Sequence, residues 1–133
     1  MSNLLDLHLG DVQDPTIVPG GEEYELRIVD ASIAPSKSSD RNLIKAMLEV
    51  IDHPTAKPIF VNFPLPGKKE EKKTEYILKL RIKDFLRAFG IDVADPGNPA
   101  EWKGMTAWAV LKETKREETG EETNDVARWI ISK

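Results

Sequence analysis

Alternation of apolar and polar residues is the dominant pattern in this chain, and it predicts five β-strands. Residues 23–34 begin with Tyr24, Leu26 and Ile28 on one face. Val29 breaks the alternation, which predicts a β-bulge or a strand buried on both faces. The other four strands are predicted at residues 44–50, 59–65, 105–115 and 123–131.

One segment changes to a helical period and interrupts the strands. Its apolar residues, spaced three and four apart, predict an α-helix over residues 74–89, with Thr74 as the N-cap and Gly90 just after its end. Residues 76–82 also alternate like a strand, so the first half of the helix is less strongly specified than the second. A short helical turn, capped by an asparagine, is expected at residues 98–104.

The order of these elements is strand, strand, strand, helix, strand, strand. An OB-fold, a five-stranded Greek-key barrel with a helix between its third and fourth strands, has this order. Other small barrels and open α+β sheets fit it as well. We expect a mostly β, OB-fold-like domain at residues 21–133, preceded by an extended N-terminal arm at residues 1–20 that prolines and glycines interrupt.

Composition is that of one globular domain of 133 residues, with 40% hydrophobic and 32% charged residues and no cysteine. Disulfides and thiolate metal sites are therefore excluded. No apolar run is long enough for a membrane span, and residues 1–10 contain no lysine or arginine. We therefore expect neither a membrane segment nor a secretory signal, and a cytoplasmic location is the default.

The charge is segregated along the chain, although its net value is −4. Residues 1–25 hold six acids and no base, whereas residues 68–87 hold eight bases and four acids. The negative net charge therefore does not exclude a local basic surface. The lysines of this segment could equally form the ordinary solvent-exposed side of a helix.

The acidic arm has two interpretations: it competes with nucleic acid for a basic groove, or, as we prefer, it is disordered like most free termini.

No arrangement typical of an enzyme occurs in the sequence. His8 and His53 are the only histidines and lie far apart, and there is no phosphate-binding loop or nucleophile elbow. The adjacent acids of the loops point apart, so they do not form a shared metal site. We expect a non-catalytic protein that needs no metal or cofactor.

Binding of a single nucleic-acid strand fits the residues better, because OB-folds bind single strands through basic grooves with aromatic stacking platforms. The candidates lie in the first loop, on the outward faces of strands two to five and at the last hairpin. The candidate nucleic-acid contacts are Lys37, Arg41, Lys45, Phe60, Trp108, Lys112, Lys115, Arg116 and Arg128.

The aromatic candidates also have structural interpretations. Phe60 could pack against the helix or under the arm, and Trp108 could fill the core beside Val110. Trp129 is expected in the core, and Trp102 is expected to attach the short helical turn to the barrel. Single surface lysines and arginines are common and uninformative one by one.

Several segments resemble a bacteriophage family. They are residues 18–26, 28–31, 35–38, 48–52, 59–62, 85–91 and 102–106. The resemblance covers about residues 18–131 and implies an OB-fold single-stranded-DNA-binding protein of phage replication and recombination, in the host cytoplasm. Its motifs are structural, so they assign no binding residue.

Many single-strand-binding proteins end in an acidic tail, whereas this sequence stops after its last predicted strand. Partner recruitment is therefore expected to use another surface, or the tail lies outside this sequence.

We therefore expect sequence-independent coating of single-stranded DNA. The alternative is an OB-like module that docks a replication protein without binding DNA, which the negative net charge favours. Phage or host replication and recombination proteins are candidate partners, and a small homo-oligomer is compatible with the sequence.

Overall fold

The computed structural model describes residues 10, 12–35, 41–67 and 70–131. In this part of the chain the secondary structure is mostly β with one α-helix, as predicted, and every predicted boundary of these elements lies within two residues of its observed position. The elements are β1 (Glu23–Pro35), β2 (Asn42–Val50), β3 (Ile59–Pro64), α1 (Lys72–Ala88), a 3-10 turn (Pro99–Trp102), β4 (Thr106–Lys115) and β5 (Glu122–Ile130).

The five strands form one antiparallel sheet in the order β3-β2-β1-β4-β5. β1 pairs with β4 through residues 23–27 and with β2 through residues 26–35. Its register with β2 shifts between Ile28 and Asp30, which confirms the irregularity predicted at Val29. Bulges increase the bend and twist of a strand. The sheet curls until its edge strands β3 and β5 come into contact, but no strand pairing joins them in the described chain.

The core fills the inner face of this curled sheet. The largest fully buried side chains are Leu26, Ile28, Leu48, Ile59, Phe85 and Leu111. Phe85 comes from α1, and its ring centroid lies 4.9 Å from that of Phe63 on β3 and 5.4 Å from that of Trp129 on β5. The helix therefore joins the two edge strands through aromatic packing.

The end of α1 is defined by a glycine, as predicted. Gly90 adopts a φ of +72°, which favours glycine over residues with a Cβ. The Ile91 N–H donates to the Leu86 carbonyl at 2.8 Å and the Gly90 N–H to Arg87 at 3.2 Å, the pattern of a Schellman motif. The prediction that Thr74 is the N-cap was wrong. The helix begins two residues earlier, and its N-cap residue makes no side-chain cap hydrogen bond.

In the described chain no helix is both long and apolar enough to cross a membrane.

The short turn before β4 forms as predicted. Asn98 accepts a hydrogen bond from the Ala100 N–H at 3.2 Å, and Pro99 begins the turn. Trp102 is buried and donates from Nε1 to the Pro96 carbonyl at 2.8 Å. Its ring lies 5.9 Å from that of Phe85, so the turn is attached to the same aromatic cluster.

The described part of the N-terminal arm is bound to the sheet, contrary to the disorder we preferred. Thr16 exchanges backbone hydrogen bonds of 2.8 Å with Thr55 and Lys57, just before β3. The Val18 N–H donates to Asn124 Oδ1 on β5 at 2.8 Å, and Asn124 Nδ2 donates back to the Val18 carbonyl at 2.9 Å. Because both groups are buried, the arm bridges the two sides of the opening between β3 and β5.

Replacing Phe85 by alanine is expected to lower the free energy of unfolding by about 3–5 kcal/mol, because it leaves a cavity among aromatic rings. Urea unfolding followed by circular dichroism measures the change. Tyr76→Ala, on the solvent side of the same helix, is the matched control and should stay within about 0.5 kcal/mol of the parent. A loss below about 1.5 kcal/mol for Phe85→Ala would contradict its place at the centre of the core.

Asn124→Ala is expected to cost about 1–3 kcal/mol, because it leaves the buried N–H of Val18 without its acceptor. It should also speed proteolysis within residues 12–20, since the arm loses its attachment to β5. Asn62→Ala, which alters an exposed asparagine of β3, should do neither. Unchanged proteolysis in Asn124→Ala would show that the arm is held by other contacts.

Candidate nucleic-acid interface

A groove opens where β3 and β5 meet without a hydrogen-bonded ladder. One part of it, of about 610 Å³, lies between β3, β5 and the flank of α1. Its lining includes Phe60, Asn62, Arg81, Lys112, Asp125, Arg128 and Trp129. A second part of similar volume continues toward the β4–β5 hairpin. Its lining includes Pro15, Lys57, Phe60, Arg116, Glu121 and Asp125. Phe60 and Asp125 belong to both parts, and we call the whole the seam groove.

Phe60 is the exposed aromatic ring of this groove. Its side chain is 58% exposed, so the structural alternative of packing under the arm or the helix does not describe it. It stands on the outer face of β3, opposite Met47 of β2. A ring held on a strand and open to solvent on the groove side can stack on a planar ligand.

The lining of the seam groove is more basic than acidic, although the chain carries a net charge of −4. Five bases (Lys57, Arg81, Lys112, Arg116, Arg128) face three acids (Asp84, Glu121, Asp125). Lys112 and Asp125 stand opposite each other in the β4–β5 register. Lys57 Nζ lies 3.4 Å from Glu121 Oε1 and 2.9 Å from the Glu122 carbonyl, so this contact spans the groove. The remaining surplus of positive charge suits an anionic chain.

The structure brings four of the nine predicted contacts into this groove: Phe60, Lys112, Arg116 and Arg128. Lys45 is adjacent, because it is exposed on β2 opposite Asn62, which lines the groove. Lys115 stands on β4 next to Arg116 and opposite Glu122, at the rim of the second part.

Arg41 is engaged in an ion pair. Its guanidinium lies 2.6 Å from Glu70 Oε1, and the Glu70 side chain is only 15% exposed. This pair ties the start of β2 to the segment before α1, so the charge of Arg41 already has a partner. Lys37 lies outside the described residues.

Trp108 stands away from the seam groove, in a separate hollow of about 490 Å³. It is 49% exposed, so it fills no part of the core, contrary to the structural interpretation. The hollow is lined by Pro19, Glu22, Glu23, Tyr24, Glu25, Ile51, Asp52, His53 and Trp108, and we call it the Trp108 hollow. Four carboxylates line it without a lysine or arginine, which opposes the approach of phosphates.

Tyr24 forms the buried wall of the Trp108 hollow. Its hydroxyl donates to the Pro19 carbonyl at 2.9 Å and lies 3.1 Å from Glu22 Oε2. Burial first, then the hydrogen bond and negative charge of Glu22, raise the pKa of Tyr24, so it stays protonated.

Among the aromatic and basic residues that line the groove, Trp129, Arg81 and Lys57 were not predicted as contacts. Trp129 packs on Phe85 as expected of a core residue, but its other side lines the groove. Arg81 was visible only as one of many helix bases; its Cζ lies 5.9 Å from the Phe63 ring centroid. Lys57 sits in a turn without a distinctive pattern. An amphipathic projection of α1 could have placed Arg81 beside the buried Phe85, four residues later.

Within the described ranges, no three histidine, aspartate or glutamate side chains gather closely enough to hold a metal ion. No protein-family model matches the chain, and no curated protein matches it.

Proposed function

We propose that this protein binds single-stranded DNA in the seam groove, coating exposed strands without reading their sequence. The observation that carries the proposal is the exposed Phe60 ring between two groove segments with basic walls. Bases stack on aromatic rings irrespective of their identity, while lysines and arginines follow the phosphates. The two parts of the groove share the Phe60 ring for base stacking, and each has basic side chains that can contact phosphates.

The strand arrangement supports an OB-fold for this domain. In an OB-fold barrel the first strand pairs with the second and the fourth, and the third meets the fifth. β1 pairs with both β2 and β4, and β3 contacts β5. α1 follows β3 in the chain and packs on β3 and β5. We propose an OB-fold-like barrel that is open at the β3–β5 seam.

The segments of residues 18–131 that resemble a phage family support a proposal for the biological setting. We propose that the protein acts in phage DNA replication and recombination, in the host cytoplasm. Exposed strands arise in both processes, and a sequence-independent binder would protect them and remove their secondary structure. Replication and recombination proteins are the partners that this setting provides.

A second function, docking of a replication protein by a domain that does not bind DNA, is favoured by the acidic hairpin beside the groove. Glu117, Glu118, Glu121 and Glu122 lie in or beside this hairpin. They would repel phosphates and attract a basic protein surface. Recovery of one replication protein in a pulldown, with no DNA binding by the purified chain, would favour this function.

Phe60→Ala is expected to weaken binding of oligo-dT by about 1–3 kcal/mol, the value of one stacked base. Fluorescence anisotropy of a labelled strand of about ten nucleotides, short enough for one domain, measures it at low salt. Trp108→Ala, which removes an exposed aromatic outside the groove, is the matched control and should bind like the parent. No binding by the parent at micromolar concentration, or equal losses in both variants, would contradict the proposal.

The charges of the groove should appear in the salt dependence of binding. Lys112→Ala is expected to reduce the slope of log affinity against log salt by about 1, because one fewer counterion is released. Asp125→Asn should tighten binding by up to about fivefold, because it removes an acid from the same wall. Lys79→Ala, whose ammonium pairs with Glu75 at 2.6 Å outside the groove, is the control. An unchanged slope in Lys112→Ala would show that the phosphates of the strand do not contact Lys112.

A further inference from the structure

The solvent side of α1 carries an apolar stripe with basic neighbours. Tyr76, Ile77 and Leu80 are 64%, 47% and 38% exposed, although the opposite side of the helix is buried through Leu78 and Phe85. Residues three and four apart lie on the same side of a helix, so the exposed lysines and arginine at 73, 83 and 87 share this side, and the half-buried Asp84 borders it. We call Lys73, Tyr76, Ile77, Leu80, Lys83 and Arg87 the helix stripe.

This composition is unusual for a face that only contacts water. Solvent-facing helix positions are ordinarily polar, and grouped exposed apolar side chains mark contact surfaces. The helix stripe also accounts for the strand-like alternation at residues 76–82: Tyr76 and Leu80 are apolar without being needed in the core. The stripe contributes no residue to the lining of the seam groove.

The Trp108 hollow has the complementary properties. It offers a half-exposed indole in a concave surface, surrounded by Glu22, Glu23, Glu25 and Asp52. Glu25 stands directly opposite Trp108 in the β1–β4 register, so a carboxylate and an aromatic face lie side by side. A ligand with apolar side chains flanked by ammonium or guanidinium groups would complement both the indole and the carboxylates. Cations also bind the faces of indole rings. The hollow also shares no residue with the seam groove.

We propose that the helix stripe of one copy docks on the Trp108 hollow of a second copy of this chain. Tyr76, Ile77 and Leu80 would cover Trp108, while the lysines of the stripe face the carboxylates of the hollow. Charge complementarity selects this partner: the side of α1 that carries the stripe has three bases and one acid, Asp84, whereas the hollow has four acids and no lysine or arginine. Two stripes or two hollows would repel each other.

The symmetry of the contact follows from this complementarity. The two surfaces differ, so the contact is head-to-tail, and such contacts extend into chains unless the rotation closes a ring. Each joined copy keeps its seam groove open, because neither surface contributes to the groove lining. If the proposed DNA binding holds, successive copies would line up on one strand and bind it cooperatively. The contact between copies does not itself depend on DNA.

Sedimentation of the free protein over a range of concentrations tests the contact without DNA, so its result is independent of the proposed function. Trp108→Ala alters the hollow, and Leu80→Asp alters the stripe. Each variant should weaken self-association at least about tenfold, as loss of a central contact residue does. Ile33→Ser, at an exposed apolar residue of β1 outside both surfaces, should associate like the parent. Equal urea midpoints of all variants would exclude unfolding as the cause.

Mixing the two variants gives the decisive result. An intact hollow on Leu80→Asp can bind an intact stripe on Trp108→Ala, so the mixture should form one-to-one dimers that do not grow further. Parent protein that stays monomeric at every concentration would overturn the proposal. So would association that survives either substitution, or a mixture that remains monomeric.

Discussion

The packing of Phe85 between β3 and β5 is the interaction on which the rest of this structure depends. Five strands in the order β3-β2-β1-β4-β5 leave two edges without a ladder between them. A curled sheet with such edges keeps a core only if side chains close the gap, and Phe85 with Phe63 and Trp129 does so from the helix side. From the other side, the arm joins the segment before β3 to Asn124 of β5.

The same missing ladder creates the candidate site. Where strands pair, their backbone polar groups are used and their outer surface is continuous; between β3 and β5 the surface opens into the seam groove. The groove draws its aromatic ring from β3 and its bases from the helix, the strands and the hairpin. Trp129 belongs to both the core and the groove, because its ring packs on Phe85 and lines the groove.

Local patterns predicted the elements well, because alternation and helical spacing record which side of each element is buried. The irregularity at Val29 was visible for this reason, whereas the end of α1 was visible because the position after a helix favours glycine. On β5 the register with β4 shifts between Val110 and Leu111, so Val126 and Trp129 both pack against the core, which strict alternation along a strand does not predict. The arm's attachment, the Arg41–Glu70 pair and the acidic surroundings of Trp108 join residues far apart in sequence, which no local pattern records.

The most direct test of the central claim, that a single strand lies in the seam groove, is a titration of ¹⁵N-labelled protein with oligo-dT observed by NMR. The largest shifts of backbone amides are expected along β3 at residues 60–63 and along β5 at residues 125–129, with smaller changes near Arg116. Shifts that concentrate at the Trp108 hollow or along the helix stripe, with the amides of β3 unchanged, would contradict the claim.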